Sequence, residues 1–241
     1  MNTLRIAAQD DRVVVRLHRP EARNAINAEM VAELHTVCDL LERQPKPLLL
    51  TGGDGFFAAG ADIAELLERR RDHALRGINS TLFERIRRLP MPTIAAVDGY
   101  ALGGGAELAY ACDIRIASTS AVFGNPEPSL GIIPGAGACW RLKELVGEPL
   151  AKMVLLAGHR IDSDEALRAR LVAEVHGPAD LEAAGHRLID GMTRMSPAAL
   201  RLTKLVLDSP AGAHPVTDHL AQAILFEDPD KEARMRKFLE R

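Results

Sequence analysis

Three consecutive glycines and two glutamates carry the chemistry that this sequence offers. Gly103, Gly104 and Gly105 lie in MPTIAAVDGYALGGGAELAYACDIRIA (Met91 to Ala117), after the apolar run Thr93 to Val97 and the turn Asp98–Gly99, and Glu107 follows just downstream. Glycine lets backbone N–H groups approach a ligand closely, and a helix start leaves its N–H groups without intrahelical partners, so together they make a site for a negative oxygen. A carboxylate three residues after the middle glycine reaches the same pocket. The combination points to stabilised anionic chemistry. Glu127 sits between two prolines in NPEPSLGIIPGAG. Pro128 disfavours the helical region for the residue before it, so an extended backbone is expected at Glu127.

These residues need elements to hold them. Leu4 to Ala8 and Val13 to Leu17 are short apolar runs separated by QDDR, as in a β-hairpin. Asn27 precedes Met30, Val31, Leu34, Cys38 and Leu41, whose spacing predicts a helix capped by Asn27 and ended by Pro45 and Pro47. The run from Pro47 to Thr51 predicts a buried strand, followed by a second glycine-rich bend, GGDGFFAAGADI. Further helices are expected from Ile63 and Ile78, a brief strand over Ala121 to Gly124, and helices over Cys139 to Val146, Leu150 to Leu156 and Ser163 to Ala169. From about Pro178 the pattern is helical alone, with helices starting at Leu181, Pro197, Pro215 and Asp230. Each glycine-rich bend follows a buried strand and precedes a helix, which argues for an α/β layered fold. Neither bend is a GxGxxG fingerprint with an acidic residue downstream, and no GxxxxGK[ST] occurs, so dinucleotide and nucleoside triphosphate binding lose support.

Composition narrows the classes further. The 241 residues are 47% hydrophobic and 26% charged, with a net charge of -3, which favours neither a nucleic-acid nor a membrane partner. Cys38, Cys112 and Cys139 have no metal-ligand or CxxC spacing, and they read as reduced, partly buried core thiols. The first dozen residues carry charges and no apolar h-region, so a cytoplasmic location is expected. Arg69, Arg70 and Arg71 read as a solvated helix face.

Several separate motifs, in order and spacing, resemble the enoyl-CoA hydratase/isomerase, or crotonase, superfamily. They are RPEARNAIN (Arg19 to Asn27), LTGGDGFFAAGADI (Leu50 to Ile63), IAAVDGYALGGGAELAYACDIRIA, FGNPEPSLGIIPGAG (Phe123 to Gly137) and the ending KFLER. The resemblance implies a crotonase-like spiral of ββα units over residues 1–180 that carries the active site, and a helical trimerisation region over 181–241. Trimers of this kind often pair into hexamers. It also implies an oxyanion hole made by the N–H groups of Ala61 and Gly104, which hold a thioester carbonyl oxygen as it gains enolate charge. Glu107 and Glu127 match the two glutamates of the family's hydratases, with Glu107 deprotonating the water that attacks C3 and Glu127 delivering the proton to C2.

The expected activity is therefore hydration of a trans-2-enoyl-CoA. A Δ3-Δ2-enoyl-CoA isomerase or another CoA-thioester lyase of the same superfamily is the alternative. A non-catalytic acyl-CoA-binding or RNA-binding relative has less support, because both acids are present and the six lysines are scattered. No metal or separate cofactor is implied, since coenzyme A is part of the substrate. It would lie near Arg23 and the bend containing Ala59, Ala61, Asp62 and Ile63. Three departures from the family pattern stand out. Ala64 follows the GADI motif where several relatives have lysine, Cys139 and Trp140 replace a polar pair, and Arg170 stands where the family generally has glycine. If position 170 is left-handed, arginine there costs about 1 kcal/mol.

Overall fold

The computed structural model describes residues 1–53 and 55–240. Asp54 and Arg241, which belong to two of the motifs above, lie outside the described residues. The chain opens with the expected hairpin, β1 (Leu4–Ala8) and β2 (Val13–Leu17), antiparallel with Ile6 opposite Val15. Helix α1 (Ala28–Arg43) follows, and the Asn27 side chain accepts from the Met30 N–H at 2.9 Å, as the cap position requires. Its buried residues are Met30, Val31, Leu34, Val37, Cys38 and Leu41.

Next, the chain makes three similar passes. Each begins with a strand of a large sheet, continues into a short strand of a second sheet, and returns through helix. The first pass is β3 (Leu48–Thr51), β4 (Phe56–Ala58) and helices α2 (Ile63–Glu68), α3 (Arg71–Arg76) and α4 (Ile78–Arg87). The second is β5 (Thr93–Val97), β6 (Tyr100–Leu102) and α5 (Gly104–Ala111). The third is β7 (Ile114–Ser118), β8 (Val122–Gly124) and helices α6 (Ala138–Val146) and α7 (Glu148–Ala157). Strand β9 (Ile161–Asp162), helix α8 (Ser163–Arg168) and strand β10 (Glu174–His176) finish the body. The large sheet runs β1-β2-β3-β5-β7-β10 and is parallel from β2 onward; the small one runs β4-β6-β8-β9. This is the ββα spiral that the resemblance implied. The strands β4, β6, β9 and β10 are too short to show periodicity in the sequence.

Successive passes stack at van der Waals limits. A Cβ on Gly99 would fall 1.7 Å from the carbonyl oxygen of Gly55, and one on Gly105 would fall 2.2 Å from that of Ala58. Glycine is therefore required at both crossings for lack of space. The main core lies between the two sheets and α1, α4, α5 and α6. Behind it, the Arg115 guanidinium, buried against α5, donates to the carbonyls of Cys112 at 2.6 Å and Leu171 at 2.8 Å. It supplies donors to the carbonyl at the end of α5 and to one in the loop after the helix Ser163–Arg168.

Four more helices follow: α9 (Leu181–Thr193), α10 (Pro197–Leu207), α11 (Val216–Phe226) and α12 (Pro229–Leu239). They do not behave as one unit. Leu181, Ala184 and Ile189 of α9 pack on Val14, Leu49, Ile94, Ala96 and Ile116, closing the outer face of the large sheet. By packing, α9 belongs to the body, whereas α10, α11 and α12 have no buried residue. Lys204 ties α10 to the body through Asp113 at 2.7 Å. Among the described residues, no helix is long and apolar enough to cross a membrane.

Two sequence expectations need correction. Cys38 and Cys112 are buried core thiols, but Cys139 is exposed, because α6 turns that face outward. Glu127 is not extended: it opens a 3-10 turn, Glu127–Leu130, with Pro128 in its first turn. A proline there forfeits no hydrogen bond, and the Ser129 and Ile132 N–H groups donate to Pro126 and Glu127 carbonyls, which offsets the steric preference. Arg170 is left-handed, with φ at 60°. Arg170→Gly is accordingly expected to raise stability by about 1 kcal/mol, or roughly 2–4 °C in Tm, measured by thermal unfolding.

Candidate active site

The site forms where the first and second passes cross. Asn24 in RPEARN braces the first bend: its side-chain amide donates to the carbonyls of Phe56 at 3.0 Å and Phe57 at 3.3 Å. The Ala59 N–H donates to the Arg23 carbonyl, and Ile26 and Ala61 form an isolated parallel bridge. This fixes the Gly60–Ala61 turn against the start of α5. A Cβ built on Gly104 would stand 3.5 Å from the Ala61 nitrogen, and one built on Gly60 would stand 4.0 Å from the Gly104 nitrogen. The two N–H groups named from the sequence are thus neighbours across a gap that only glycine leaves open. Gly104 is the first residue of its helix, and Ala61 donates to no backbone acceptor among the described residues. Both donors are free for a ligand.

Glu107 lies one turn into α5 and is only 4% exposed. One of its oxygens, Oε1, accepts from the N–H groups of Ala136 at 2.8 Å and Ala138 at 3.0 Å, at the start of α6. Burial pushes its carboxyl up to about 7, opposed by the Ala138 N–H and reinforced by the charge of Glu127. Glu127 is 8% exposed, and its Oε1 lies 3.0 Å from where a Cβ of Gly103 would be. Burial raises its pKa as well, against weaker hydrogen bonding that includes the Asn125 amide at 3.5 Å. Its Oε2 is buried with no partner. The Tyr110 hydroxyl in turn donates to Asn125 at 3.4 Å, so a buried chain of polar groups stands behind Glu127.

The raised pKa of Glu107 has a stability consequence whose sign is definite. A carboxyl that titrates at about 7 when folded and near 4.5 when unfolded binds its proton more tightly in the folded state. Below pH 4.5 it exacts nothing, and between 4.5 and 7 the folded state loses about 3 kcal/mol. Glu107→Gln lacks this loss. Its Tm relative to wild type is expected to be several degrees higher at pH 8 than at pH 4.5, measured by calorimetry at both pH values.

A cavity of about 820 Å³ opens beside Glu107, lined by Phe83, Arg87, Ile133, Cys139, Trp140 and other residues of α4 and α6. The Arg87 guanidinium lies 5.4 Å from the centre of the Trp140 ring. The Cys139–Trp140 departure therefore shapes this cavity.

The Enoyl-CoA hydratase/isomerase family model matches residues 8–241 of the chain. The chain belongs to this family. It is 39% identical over 213 residues to the short-chain-enoyl-CoA hydratase of Clostridium acetobutylicum, covering 86% of this chain and 82% of that protein. It is 36% identical to the crotonyl-CoA hydratase of Syntrophomonas wolfei, covering 95% of this chain and 91% of that one. An enoyl-CoA hydratase subunit I of Geobacillus kaustophilus superposes with a TM-score of 0.92 at 34% identity, covering 99% of this chain and 95% of its own. Within an enoyl-CoA hydratase/isomerase fold, two free N–H groups and two buried carboxyl groups at one crossing can polarise a thioester and move protons next to it.

The residues named for coenzyme A are less uniform. Arg23 is exposed, with its guanidinium 5.4 Å from the centre of the Phe56 ring, and Ile63 is 59% exposed beside the bend. The Asp62 carboxylate is already engaged. It caps α2 by accepting from Ala64 and Glu65, and it pairs with Arg19 at 3.1 Å. Asn79 and Asn125 escaped the sequence reading. Asn125 lies inside a quoted motif two residues before Glu127, so its neighbourhood was a usable signal. Asn79 lies in a segment without a motif, and only its burial reveals it.

Proposed function

We propose that the chain is an enoyl-CoA hydratase, a hydro-lyase that adds water across the C2=C3 bond of a trans-2-enoyl-CoA. The product is a 3-hydroxyacyl-CoA. The observation that carries this reading is the unequal solvation of two buried carboxyl groups beside one pair of free N–H groups. Glu107 receives two backbone hydrogen bonds on a single oxygen, which favours its ionised form and leaves the other oxygen for water. Glu127 has a buried, unpartnered oxygen, which favours the protonated form. Glu107 then takes a proton from the water that attacks C3. The C2=C3 electrons move into the thioester, and its oxygen gains enolate charge between Ala61 and Gly104. Glu127 next protonates C2 and the enolate collapses; Glu107 then gives up its proton and Glu127 regains one, so that the net change is the addition of one water.

In this proposal coenzyme A runs past Arg23 and along the turn through Ala59, Ala61, Asp62 and Ile63, with Asp62 contributing through its backbone. No other cofactor takes part. The chain acts as a homotrimer or homohexamer. Support for assembly comes from the apolar residues left uncovered on the last helices, such as Leu207 at 81%, Leu220 at 62% and Phe238 at 73% exposure. A cytoplasmic location suits the three free thiols.

The test is to supply 2-enoyl- and 3-enoyl-CoA thioesters of several chain lengths and to follow loss of the conjugated thioester and its formation separately. Hydration of the 2-enoyl substrate is the expected result. Interconversion of 3-enoyl and 2-enoyl forms without hydration would replace this reading with the isomerase. A monomer mass in light scattering would remove the oligomer from the proposal.

A further inference from the structure

Asn79 is the second residue of α4, and its side chain makes no hydrogen bond among the described residues. It is 8% exposed, its Oδ1 is buried without a hydrogen-bond partner, and its Nδ2 donates to no protein group among the described residues. Leaving a buried amide unpaired costs stability, so packing alone gives no reason for asparagine here. Its position supplies one. A Cβ on Gly104 would lie 3.6 Å from the Asn79 Nδ2 and 3.5 Å from the Ala61 nitrogen. The same small volume is therefore bordered by the N–H of Ala61, the start of α5 and a side-chain amide.

We propose that Asn79 is a third hydrogen-bond donor of the anion hole, with its Nδ2–H directed at the thioester oxygen alongside the N–H groups of Ala61 and Gly104. This rests on the reading of the site as an enolate-stabilising one. Three donors around one oxygen match the lone-pair capacity of an enolate better than that of a neutral carbonyl, so the third bond strengthens as charge develops. Such a donor changes kcat more than KM. The Asn79 amide comes from a helix that the first pass sends back across the site. The hole is then assembled from two backbone bends and one side chain, each from a separate element.

The experiment compares Asn79→Ala and Asn79→Asp with wild type in three measurements. With crotonyl-CoA, Asn79→Ala is expected to lose about 10- to 100-fold in kcat with KM within about threefold. Asn79→Asp is expected to lose more, because a carboxylate repels the enolate oxygen. In thermal unfolding, Asn79→Ala is expected to match or exceed wild type, which separates a lost donor from a damaged fold. The carbonyl stretch of bound butyryl-CoA, which cannot be hydrated, is expected to move to higher frequency in Asn79→Ala as one hydrogen bond is lost. Unchanged kcat and an unchanged stretch in Asn79→Ala overturn the inference and leave the hydratase reading intact. Should the wild type hydrate no enoyl-CoA, the hydratase reading fails, and the stretch of bound butyryl-CoA still decides the role of Asn79 by itself.

Discussion

Glu127→Gln is expected to lower kcat for hydration of a 2-enoyl-CoA by about 10³-fold, with Glu107→Gln losing a similar factor. Glutamine keeps the size and one hydrogen-bonding oxygen of each side chain, so the packing around both positions survives and the loss reports proton transfer. The two losses have different origins. Without the Glu127 proton, the enolate forms but C2 waits for a proton from water. Without the Glu107 carboxylate, the water is neither deprotonated nor oriented, because the oxygen not held by Ala136 and Ala138 is its only free one. In the proposed mechanism the groups work on one reaction coordinate, so the double variant should lose far less than the product of the single losses. In the wild type, kcat/KM should rise through about pH 7 as Glu107 ionises. Steady-state kinetics across pH check this. A rising limb that persists unchanged in Glu107→Gln would remove Glu107 from the role of base.

Gly105→Ala is expected to be the most damaging single-methyl change at the site. Its Cβ would meet the Ala58 carbonyl oxygen at 2.2 Å, the Ala58 Cβ at 2.7 Å and the Ala58 carbonyl carbon at 2.8 Å. Two of these atoms are backbone within the short strand β4, so a side-chain rotation cannot relieve the contact. Helix α5 must move away from the first bend, and it carries both the Gly104 N–H and Glu107. We expect a stability loss of about 3 kcal/mol, which corresponds to a Tm drop of roughly 6–12 °C for a chain of this size. A displacement on the order of 1 Å at the anion hole would also lower kcat by about 10²-fold in the protein that remains folded. Gly191→Ala is the internal control. It lies within α9 with nothing near the added methyl, and it should gain up to about 1 kcal/mol. Thermal unfolding and kcat of the two variants, side by side, separate a general effect of added methyls from the close approach of β4 and α5.

The pairing of an unstable local arrangement with a working site recurs in this fold. The buried carboxyl of Glu107, the unpartnered oxygen of Glu127 and the unpaired amide of Asn79 each weaken the folded state, and Glu127 and Asn79 lie against the neighbouring glycines Gly103 and Gly104 at the start of the helix that carries Glu107. The main core, by contrast, is continuous from α1 to α6 and supplies the stability that such a cluster consumes. Stabilising substitutions are therefore expected most readily at these three positions, where activity is lost with them.

What the amino-acid order determined by itself is local in character. The hairpin of β1 and β2, the Asn27 cap, the strands β3, β5 and β8 and most helix starts follow from apolar spacing, proline and cap chemistry over a few residues. The glycine runs and both glutamates were also legible, because their types limit what a backbone or an acid can do. Tertiary structure decided the rest. The second sheet is made of strands of two or three residues, of which β4, β6 and β9 have no periodicity of their own and exist only by pairing across successive passes. Helix α9 reads like its three successors, yet it covers the sheet, because Leu181, Ala184 and Ile189 find an apolar face there. The 3-10 turn at Glu127 overrides the proline preference through its own hydrogen bonds. The proximity of Ala61 to Gly104 spans more than forty residues of chain, and Asn79 reaches Gly104 from a helix between the two bends. No local spacing encodes such a distance; it results from passes that stack so tightly that only glycine fits between them.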